Sequence, residues 1–248
     1  MTAPAPDLPA GLVEVLRGAC RVVALTGSGI SAESGVPTFR DAETGLWARY
    51  DPQELATPEA FARDPKLVWK WYAWRRELVE GASPNAGHEA LAELERSVPE
   101  FSLVTQNVDG LHQEAGSEYV VELHGNIRRS RCPVENVTVE PDEMDHIPPP
   151  CPNCGPPLRP DVVWFGEALP AAGLEAASEA ARLCDLFLSV GTSGLVHPAA
   201  SLPYEALENG ATVVEVNPDP TPLAPHADFS LRGWAGEVLP RLVGAAFG

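Results

Sequence analysis

Apolar positions recur along the chain with two different periods. Short continuous apolar runs predict buried strands at residues 21–26, 101–105, 119–123, 186–190 and 212–216. Apolar residues at helical spacing predict helices over residues 8–19, 55–81 (broken near Asp64–Pro65), 88–96, 174–182 and 199–209, and from about Gly236 onward. Strands that alternate with helices predict an α/β fold, a Rossmann-like parallel sheet covered by helices on both faces.

Two stretches interrupt this alternation. Residues 55–83 form a helical insert, and residues 126–160 form a module rich in proline, cysteine and polar residues. We predict that residues 1–54, 84–125 and 161–248 make one Rossmann-like domain and that the two inserts make a small domain beside it.

The composition is that of a water-soluble globular protein, with 44% hydrophobic and 21% charged residues among 248. No apolar run reaches the ~18 residues of a membrane span, and the first residues lack the features of a signal peptide, so we expect a cytoplasmic protein. The net charge of −18 repels nucleic acid and anionic membranes and attracts cationic partners such as lysine-rich peptides. The alternative is that this charge only keeps the protein soluble. The sequence does not predict the oligomeric state.

Five cysteines without a secretion signal argue against a disulfide framework. Cys20 and Cys184 adjoin predicted strands, and we expect both to be buried packing residues. The remaining three lie in the module 126–160.

The first predicted strand runs into a glycine turn, Gly-Ser-Gly-Ile-Ser-Ala, at residues 27–32. Between a strand and a helix, this pattern is typical of a turn that binds the pyrophosphate of a dinucleotide at the helix N-terminus. In a dehydrogenase a second strand ending in an acidic residue follows about 20 residues on. Residues 35–47 instead predict a loop, which counts against hydride transfer.

Polar residues follow the other predicted strands. Asn107 and Asp109 follow one strand, His124 the next, and Asn217 the last. Because ligands bind at the carboxyl ends of parallel strands, these side chains are candidate functional groups, and Asn217 is a candidate for holding an adenosine ribose. Histidine titrates near neutral pH, so His124 can take a proton from a ribose hydroxyl. The remaining histidines, His146 excepted, are interpreted as structural or solvated.

Several motifs in series resemble those of the sirtuins, the NAD-dependent protein-lysine deacylases. Residues 27–40 resemble the family's NAD-binding signature, 105–112 its second motif and 123–126 its catalytic-histidine motif. Residues 191–193 and 216–218 are similar to later nucleotide contacts, and 162–167 to the peptide-binding strand. The resemblance extends from about residue 10 to residue 240.

The resemblance implies an NAD site and a catalytic pair, His124 and Asn107. The acyl-lysine carbonyl oxygen attacks the ribose C1′ as nicotinamide leaves, and His124 then activates a ribose hydroxyl. The products are free lysine, nicotinamide and O-acyl-ADP-ribose. The implied NAD contacts are Gly27, Ser28, Gly29, Ile30, Ala32, Pro37, Thr38, Phe39, Arg40, Trp47, Gln106, Asn107, Val108, Asp109, His124, Gly191, Thr192, Ser193, Asn217, Pro218, Asp219 and Ala235.

Structural zinc is also implied, since sirtuins carry two C-x-x-C pairs. Cys151 and Cys154 make one pair, whereas Cys132 is followed at the matching position by Glu135. Three thiolates with Glu135 or His146 as fourth ligand would hold the metal. The alternative is a vestigial site without zinc.

The helical insert carries a Tyr-x-x-Arg pair, Tyr72 and Arg75, on one helix face. A hydroxyl beside a guanidinium binds carboxylates. The pair resembles the mark of class III sirtuins, which remove succinyl and malonyl as well as acetyl groups; the alternative is a buried aromatic stripe. The implied substrate contacts are Tyr72, Arg75, Val163, Phe165, Gly166 and Glu167.

Three other functions remain open on sequence alone. A mono-ADP-ribosyltransferase would share the NAD cleavage but use another acceptor. A non-catalytic NAD-responsive module would lack the catalytic groups, although His124 and Asn107 are present. A Rossmann dehydrogenase is disfavoured by the missing second strand. The expected partners of the deacylase are acyl-lysine proteins or peptides.

Overall fold

The computed structural model describes residues 8–37, 51–139 and 146–248. Within these residues, six strands form one parallel sheet, and two more form an antiparallel pair. In chain order the eight strands are β1 Arg21–Thr26, β2 Glu100–Thr105, β3 Val120–Glu122, β4 Gly125–Arg131, β5 Arg159–Val162, β6 Leu186–Val190, β7 Thr212–Val216 and β8 Phe229–Leu231. The parallel sheet has the order β3–β2–β1–β6–β7–β8, and β4 pairs with β5.

Helices cover the sheet and build the insert. They are α1 Ala10–Gly18, α2 Ser28–Ser31, α3 Pro52–Leu55, α4 Pro58–Arg63, α5 Pro65–Glu80, α6 Ala86–Ser97, α7 Leu111–Glu114, α8 Ala171–Leu183, α9 Leu202–Glu208 and α10 Ala235–Phe247, with 3₁₀ turns at Ala32–Ser34 and Ala199–Ser201. The described helices include none that is long and apolar enough to cross a membrane.

The pleat of the sheet sends alternate residues to opposite helix layers. On β1, Val22 and Ala24 pack with α1, α6 and α10, whereas Val23 and Leu25 pack with α8 and α9. Both faces are therefore buried, which explains why these strands are continuous apolar runs rather than alternating ones. The predicted α/β fold is confirmed. Among the described residues no strand lies between β1 and β2.

The insert helices pack against the small antiparallel pair. Apolar residues of α4 and α5 share a cluster with Ile127 of β4, Val162 of β5 and Trp164. The predicted break at Asp64–Pro65 is present because Asp64 caps α5 through the Leu67 amide (3.0 Å) and proline occupies the first helical position. The division into two domains stays a prediction.

The helix expected after the glycine turn is present as one turn, α2, which a 3₁₀ turn follows. Two other local expectations are wrong. The peptide-binding strand expected over 162–167 ends at Val162 and continues as a turn. Cys20, expected to be buried, is exposed, whereas Cys184 is buried. The strands β4 and β8 were not predicted, since β4 is rich in arginine and β8 has three residues.

Candidate functional site

Four strands of the parallel sheet end side by side and bring their following residues together. The Gly27 amide donates to Val190 O (3.0 Å), Gln106 to Thr26 O (3.0 Å), and Gly191 to Val216 O (2.9 Å). Most of the residues that are expected to contact NAD lie in the segments that follow the carboxyl ends of β1, β2, β6 and β7. The exceptions are His124, which follows β3, Pro37, after the first 3₁₀ turn, and Ala235, which begins α10. The expected contacts Thr38, Phe39, Arg40 and Trp47 lie outside the described residues.

The glycine turn packs against the loop that follows β6. The Gly29 amide donates to Gly191 O at 2.9 Å. A Cβ on Gly29 would lie 2.7 Å from that oxygen, and Gly191 itself has a positive φ of 60°. Glycine is therefore required on both sides of this contact, and the two backbones form one floor at the strand ends. Asn217 extends the floor, because its side-chain amide donates to Thr192 O at 2.7 Å.

A buried polar network lies beside this floor. The Asn107 side-chain amide donates to Ser31 Oγ (3.0 Å), and the Ser31 hydroxyl donates to Asp109 Oδ2 (2.7 Å). Asp109 Oδ1 accepts from the Leu111 amide at 3.0 Å. Burial raises the pKa of Asp109 above its usual value, against the lowering effect of these donors. The network holds Asn107 and Asp109 in fixed positions at the end of β2.

Two histidines interpreted as structural from the sequence join this network. Asn85 N donates to His88 Nδ1 (3.3 Å), so Nε2 of His88 carries the hydrogen and lies 3.3 Å from Ser31 Oγ. Nε2 of His112 lies 2.8 Å from the Thr26 hydroxyl. Burial lowers the pKa of His88 to about 4 and that of His112 to about 3, so both are neutral at pH 7. The sequence analysis did not identify Ser31 or His88 as site residues. The position of Ser31 inside the glycine motif was a signal that could have identified it.

His124 follows β3 and is oriented by the backbone. Its Nδ1 lies 2.9 Å from Gln106 O, which only accepts, so Nδ1 carries the hydrogen and Nε2 keeps a free lone pair. Burial lowers the pKa of His124, and the hydrogen bond to Gln106 opposes this only in part. The side chain is half-buried rather than enclosed, so its neutral imidazole can serve as a base at the strand ends.

The segment expected to bind peptide follows β5. The Val163 amide donates to His124 O (2.9 Å), which places this segment beside the histidine. Phe165 is 44% exposed, and Gly166 has a positive φ of 86°. Glu167 receives two hydrogen bonds from Arg159, at 2.6 and 2.8 Å. Burial would raise the pKa of Glu167, but the bonds from Arg159 and the Trp164 amide outweigh it and lower that pKa.

Tyr72 and Arg75 are both buried on α5, with 3% and 8% exposure. The Tyr72 hydroxyl accepts a hydrogen bond from Trp164 Nε1 at 3.0 Å, which leaves its own hydrogen for another acceptor. Burial is the main cause of a raised Tyr72 pKa, and the nearby charge of Arg75 opposes it. The Arg75 guanidinium carbon lies 5.2 Å from the Trp71 ring centre. Trp164, which sequence reasoning missed, thus connects the pair to the segment after β5.

Four candidate ligand atoms converge in the cysteine module. One atom each from Cys132, Glu135, Cys151 and Cys154 lies within 4.8 Å of the others. His146, the alternative fourth ligand, is exposed and outside this group. The Glu135 amide donates to Cys132 Sγ (3.4 Å), and Cys132 Sγ lies 3.4 Å from Cys154 Sγ. Three sulfurs and one carboxylate oxygen fit the tetrahedral coordination that zinc prefers.

The two halves of this cluster have the same backbone form. The Asn136 amide donates to Cys132 O (2.9 Å), and the Gly155 amide donates to Cys151 O (2.8 Å). Asn136 and Gly155, which follow the fourth position of each turn, both have positive φ, at 58° and 92°. Glu135 therefore occupies in the first turn the place that Cys154 occupies in the second.

Comparison with known proteins agrees with the geometry. The family profile described as "Sir2 family" matches residues 27–198. The chain is 56% identical over 245 residues to NAD-dependent protein deacylase 1 of Pseudomonas aeruginosa, covering 95% of this chain and 98% of that protein. A crystal structure of a Sir2 homologue–NAD complex superposes with a TM-score of 0.91 at 49% identity, covering 99% of this chain and 96% of the other. A mutant Sir2 homologue bound to 2′-O-acetyl ADP-ribose gives 0.89 at 51% identity, covering 96% of each chain.

Proposed function

Because the chain belongs to the Sir2 family, we propose that it is an NAD-dependent protein-lysine deacylase. It transfers the acyl group of a modified lysine to ADP-ribose, releases nicotinamide and leaves a free lysine. The observation that carries this proposal is the joint placement of an oriented, neutral His124 and the Asn107–Asp109 network at the carboxyl edge of the sheet.

His124 acts as the general base. Its Nδ1–H is held by Gln106 O, so Nε2 is the atom that accepts a proton from a ribose hydroxyl. Since burial lowers its pKa, the imidazole is already neutral at pH 7 and available to accept that proton. A positioned base of this kind contributes about 10²–10⁴-fold to a rate.

The network at the end of β2 orients the nucleotide. NAD, when bound, supplies the ribose that accepts the acyl group and the nicotinamide that leaves. Ser31 fixes the amide of Asn107 and the carboxyl of Asp109, so neither has to reorganise when the ribose arrives. The floor formed by the glycine turn and the loop after β6 offers close backbone approach to phosphates.

Tyr72 and Arg75 select the acyl group. We propose that the Tyr72 hydroxyl and the Arg75 guanidinium bind the distal carboxylate of succinyl- or malonyl-lysine. Both side chains are buried, so a bidentate, charge-assisted contact there is little screened by water. An acetyl group offers the guanidinium no carboxylate. The preference should therefore favour dicarboxylic acyl groups.

An acyl-lysine peptide panel with NAD, analysed by product mass, tests both points. We expect free lysine peptide, nicotinamide and O-acyl-ADP-ribose, with kcat/KM higher for succinyl or malonyl than for acetyl by about 10- to 150-fold. Mass added to the protein acceptor instead would identify an ADP-ribosyltransferase. NADH absorbance with a reduced substrate would identify a dehydrogenase.

The variant Arg75→Met separates recognition from packing. It should abolish the acyl preference while deacetylation is kept or improved, because the pocket becomes apolar. Lys70→Met is the matched control, since it removes a positive charge from an exposed position of the same helix. Arg76 is unsuitable as a control, because it donates to Ile127 O and Arg129 O and so ties α5 to β4. Equal loss of both activities in Arg75→Met would mean that the pair is structural.

We also propose that the cysteine module holds structural zinc through Cys132, Cys151, Cys154 and Glu135. The convergence of the four ligand atoms and the matching turns support Glu135 over His146 as fourth ligand. Asn153 Nδ2 donates to Glu135 Oε2 (3.2 Å) and leaves the other carboxylate oxygen for the metal. The metal would connect two turns of the module and take no part in the reaction.

Elemental analysis after expression in zinc-rich medium checks this site. We expect about one zinc per chain in the wild type, in His146→Ala and in Glu135→Cys, which supplies a fourth thiolate. Glu135→Ala should lose zinc to a chelator faster than these three. A wild-type content below ~0.2 zinc per chain would refute a working site.

The proposed partners are acyl-lysine proteins or peptides, and the proposed location is the cytoplasm. None of the five cysteines forms a disulfide, and the zinc site needs reduced thiolates, both of which suit a reducing compartment.

A further inference from the structure

An ion pair between a buried carboxylate and a half-buried arginine adjoins the loop that follows β7. Glu215 of β7 is 1% exposed, and its Oε2 lies 2.7 Å from Nη1 of Arg232, which follows β8. The contact is an ion pair without hydrogen-bond alignment, while Oε1 accepts from the Thr221 hydroxyl. A carboxylate so deeply buried is costly unless it is paired. The family motifs in the sequence do not account for either charge.

The same guanidinium connects the pair to the loop. Arg232 Nη1 donates to Asp219 O at 3.1 Å and lies 3.5 Å from Asn217 O. Thr221, which donates to Glu215, is at the other end of the same segment. The loop 217–221 is thus fixed at both ends to one buried carboxylate, directly at its Thr221 end and through Arg232 at its Asn217 end.

Asn217 in turn joins this loop to the floor that the glycine turn and the loop after β6 form. Its amide nitrogen donates to Leu231 O (3.2 Å), and its side-chain amide donates to Thr192 O (2.7 Å). The side-chain oxygen of Asn217 therefore remains as a fixed acceptor at the edge of the sheet. A fixed acceptor binds a ribose hydroxyl without the entropic cost of ordering the loop.

We propose that Glu215 and Arg232 are positioning residues that pre-organise the loop 217–221 for the adenosine half of NAD. They act through Asn217 and Asp219 and do not touch the cofactor. The inference rests on the proposed function, because it assumes that this edge of the sheet binds NAD. The NAD-binding role expected of the loop does not include Glu215 or Arg232. Nor does it imply that loss of Arg232 weakens nucleotide binding more than loss of the Glu215 charge.

The two members of the ion pair differ in exposure, so removing one should not have the same effect as removing the other. Arg232 has 35% side-chain exposure, whereas Glu215 has 1%. Arg232→Met leaves a buried carboxylate without its cation, so the loop should rearrange to hydrate it. Glu215→Gln keeps one acceptor oxygen, for Thr221, and gives up the acceptor that faces Arg232. It leaves no carboxylate buried without its cation, so it should disturb the loop less than Arg232→Met does. Combining both changes removes the unpaired charge, so Glu215→Gln/Arg232→Met should bind nucleotide more tightly than Arg232→Met alone.

The experiment measures ADP-ribose affinity by calorimetry together with kcat and both KM values. Arg232→Met should weaken ADP-ribose binding and raise the KM for NAD about 10-fold, equivalent to ~1.4 kcal/mol. The KM for the acyl peptide and kcat at saturating NAD should change less than about 2-fold, since neither depends on the adenosine loop. Arg232→Lys, which keeps the charge, should recover most of the affinity.

Arg21→Met is the matched control. It breaks the exposed Arg21–Glu100 pair (3.0 Å) at the opposite end of the sheet and should leave every parameter unchanged. The inference is overturned if Arg232→Met binds ADP-ribose as wild type does, or if the double variant is no tighter than the single one. If Arg232→Met fails to fold, the double variant Glu215→Gln/Arg232→Met replaces it. This variant has no unpaired buried charge but lacks the donor to Asn217 O and Asp219 O, so it should bind ADP-ribose more weakly than wild type, and wild-type affinity would overturn the inference.

The proposed function can fail separately. A wild type that binds ADP-ribose but releases no free lysine contradicts the deacylase proposal, and the affinities of the variants still test the ion pair. A wild type that binds no ADP-ribose overturns both.

Discussion

At the scale of single residues, burial sets the protonation of the site. It lowers the pKa of His88, His112 and His124 alike, so three neutral imidazoles lie at one edge of the sheet. Two of them are enclosed, with 0% and 1% exposure, and serve as hydrogen-bond partners. His124 is the one that stays partly open, which suits a base that has to meet substrate.

His124→Ala should lose about 10²–10⁴-fold in deacylation, the usual contribution of a positioned base. NAD affinity should be nearly unchanged, because the base acts after the nucleotide is bound. Steady-state kinetics and calorimetry on the purified variant check the two halves separately. Near-full activity would contradict the assignment of the base.

The pH profile of kcat/KM gives a second check on the same residue. The base works in its neutral form, so activity should fall as the pH drops through the pKa of His124. Since burial lowers that pKa below the ordinary 6.5, the acid limb should have its midpoint below pH 6.5. A midpoint at or above 6.5 would show that the imidazole is not desolvated in the working enzyme.

Some residues of the site follow from spacing and others do not. Tyr72 and Arg75 are three positions apart, so helical geometry alone places them on one face. Trp164 lies 92 positions from Tyr72 along the chain, and the hydrogen bond between them depends on how β5 meets α5. The roles of Ser31 and His88 likewise depend on packing between α2 and α6, which periodicity does not report.

At the scale of elements, the site depends on two glycine turns in direct contact. Gly29 of α2 and Gly191 after β6 approach so closely that a side chain on either would overlap the other's backbone. The turn between β1 and α2 is therefore positioned by β6 rather than by its own short helix. This explains how a helix of only four residues can have a fixed position in the floor at the strand ends.

Gly29→Ala tests this contact. Its Cβ would lie 2.7 Å from Gly191 O and 2.8 Å from Gly191 Cα, so backbone has to move at a cost of about 1–3 kcal/mol in unfolding free energy. NAD affinity should fall as well. Gly11→Ala is the control, because nothing lies within 4 Å of its Cβ on α1 and alanine favours a helix by up to about 1 kcal/mol. Equal denaturation midpoints for the two variants would contradict the argument.

The elements that sequence predicts best are those buried on both faces. β1, β6 and β7 agree with the predicted ranges because their residues are mostly apolar and their runs are too short for a helix. Two other strands were missed: β4 has three arginines and one large apolar residue, Ile127, and β8 is an edge strand of three residues. The glycine motif indicates a turn and a helix after it, but it does not specify that this helix, α2, has only four residues.

At the scale of the whole molecule, we expect the excess of acidic residues to favour cationic substrates; the alternative is that this charge only keeps the protein soluble. A net charge of −18 on 248 residues raises the local concentration of lysine- and arginine-rich peptides near the surface. In the proposed pocket, Tyr72 and Arg75 would add the opposite preference locally, for an acyl chain that ends in a carboxylate. The long-range charge and the proposed pocket would then act on different parts of one substrate.

The rate with an arginine-rich acyl peptide should fall as salt is added. Raising the ionic strength from about 0.05 M to about 0.5 M shortens the screening length to a few ångströms, which removes long-range attraction. We expect kcat/KM to drop several-fold for the cationic peptide and little for an uncharged peptide with the same acyl group. Equal salt dependence for both would mean that the net charge does not contribute to recognition.

The central position of β1 has a consequence for how the chain folds. Of the strands in the described residues, β1 is synthesised before the others, yet it lies between β2 and β6. Thr26 is bonded to Thr105, 79 positions away, and Arg21 to Asp185, 164 positions away. Such non-local pairing slows folding, because long loops have to close before contacts form. A nascent or truncated chain that ends before β6 leaves the apolar flank of β1 open to pairing with other chains. Aggregation of N-terminal fragments is therefore to be expected on topological grounds alone.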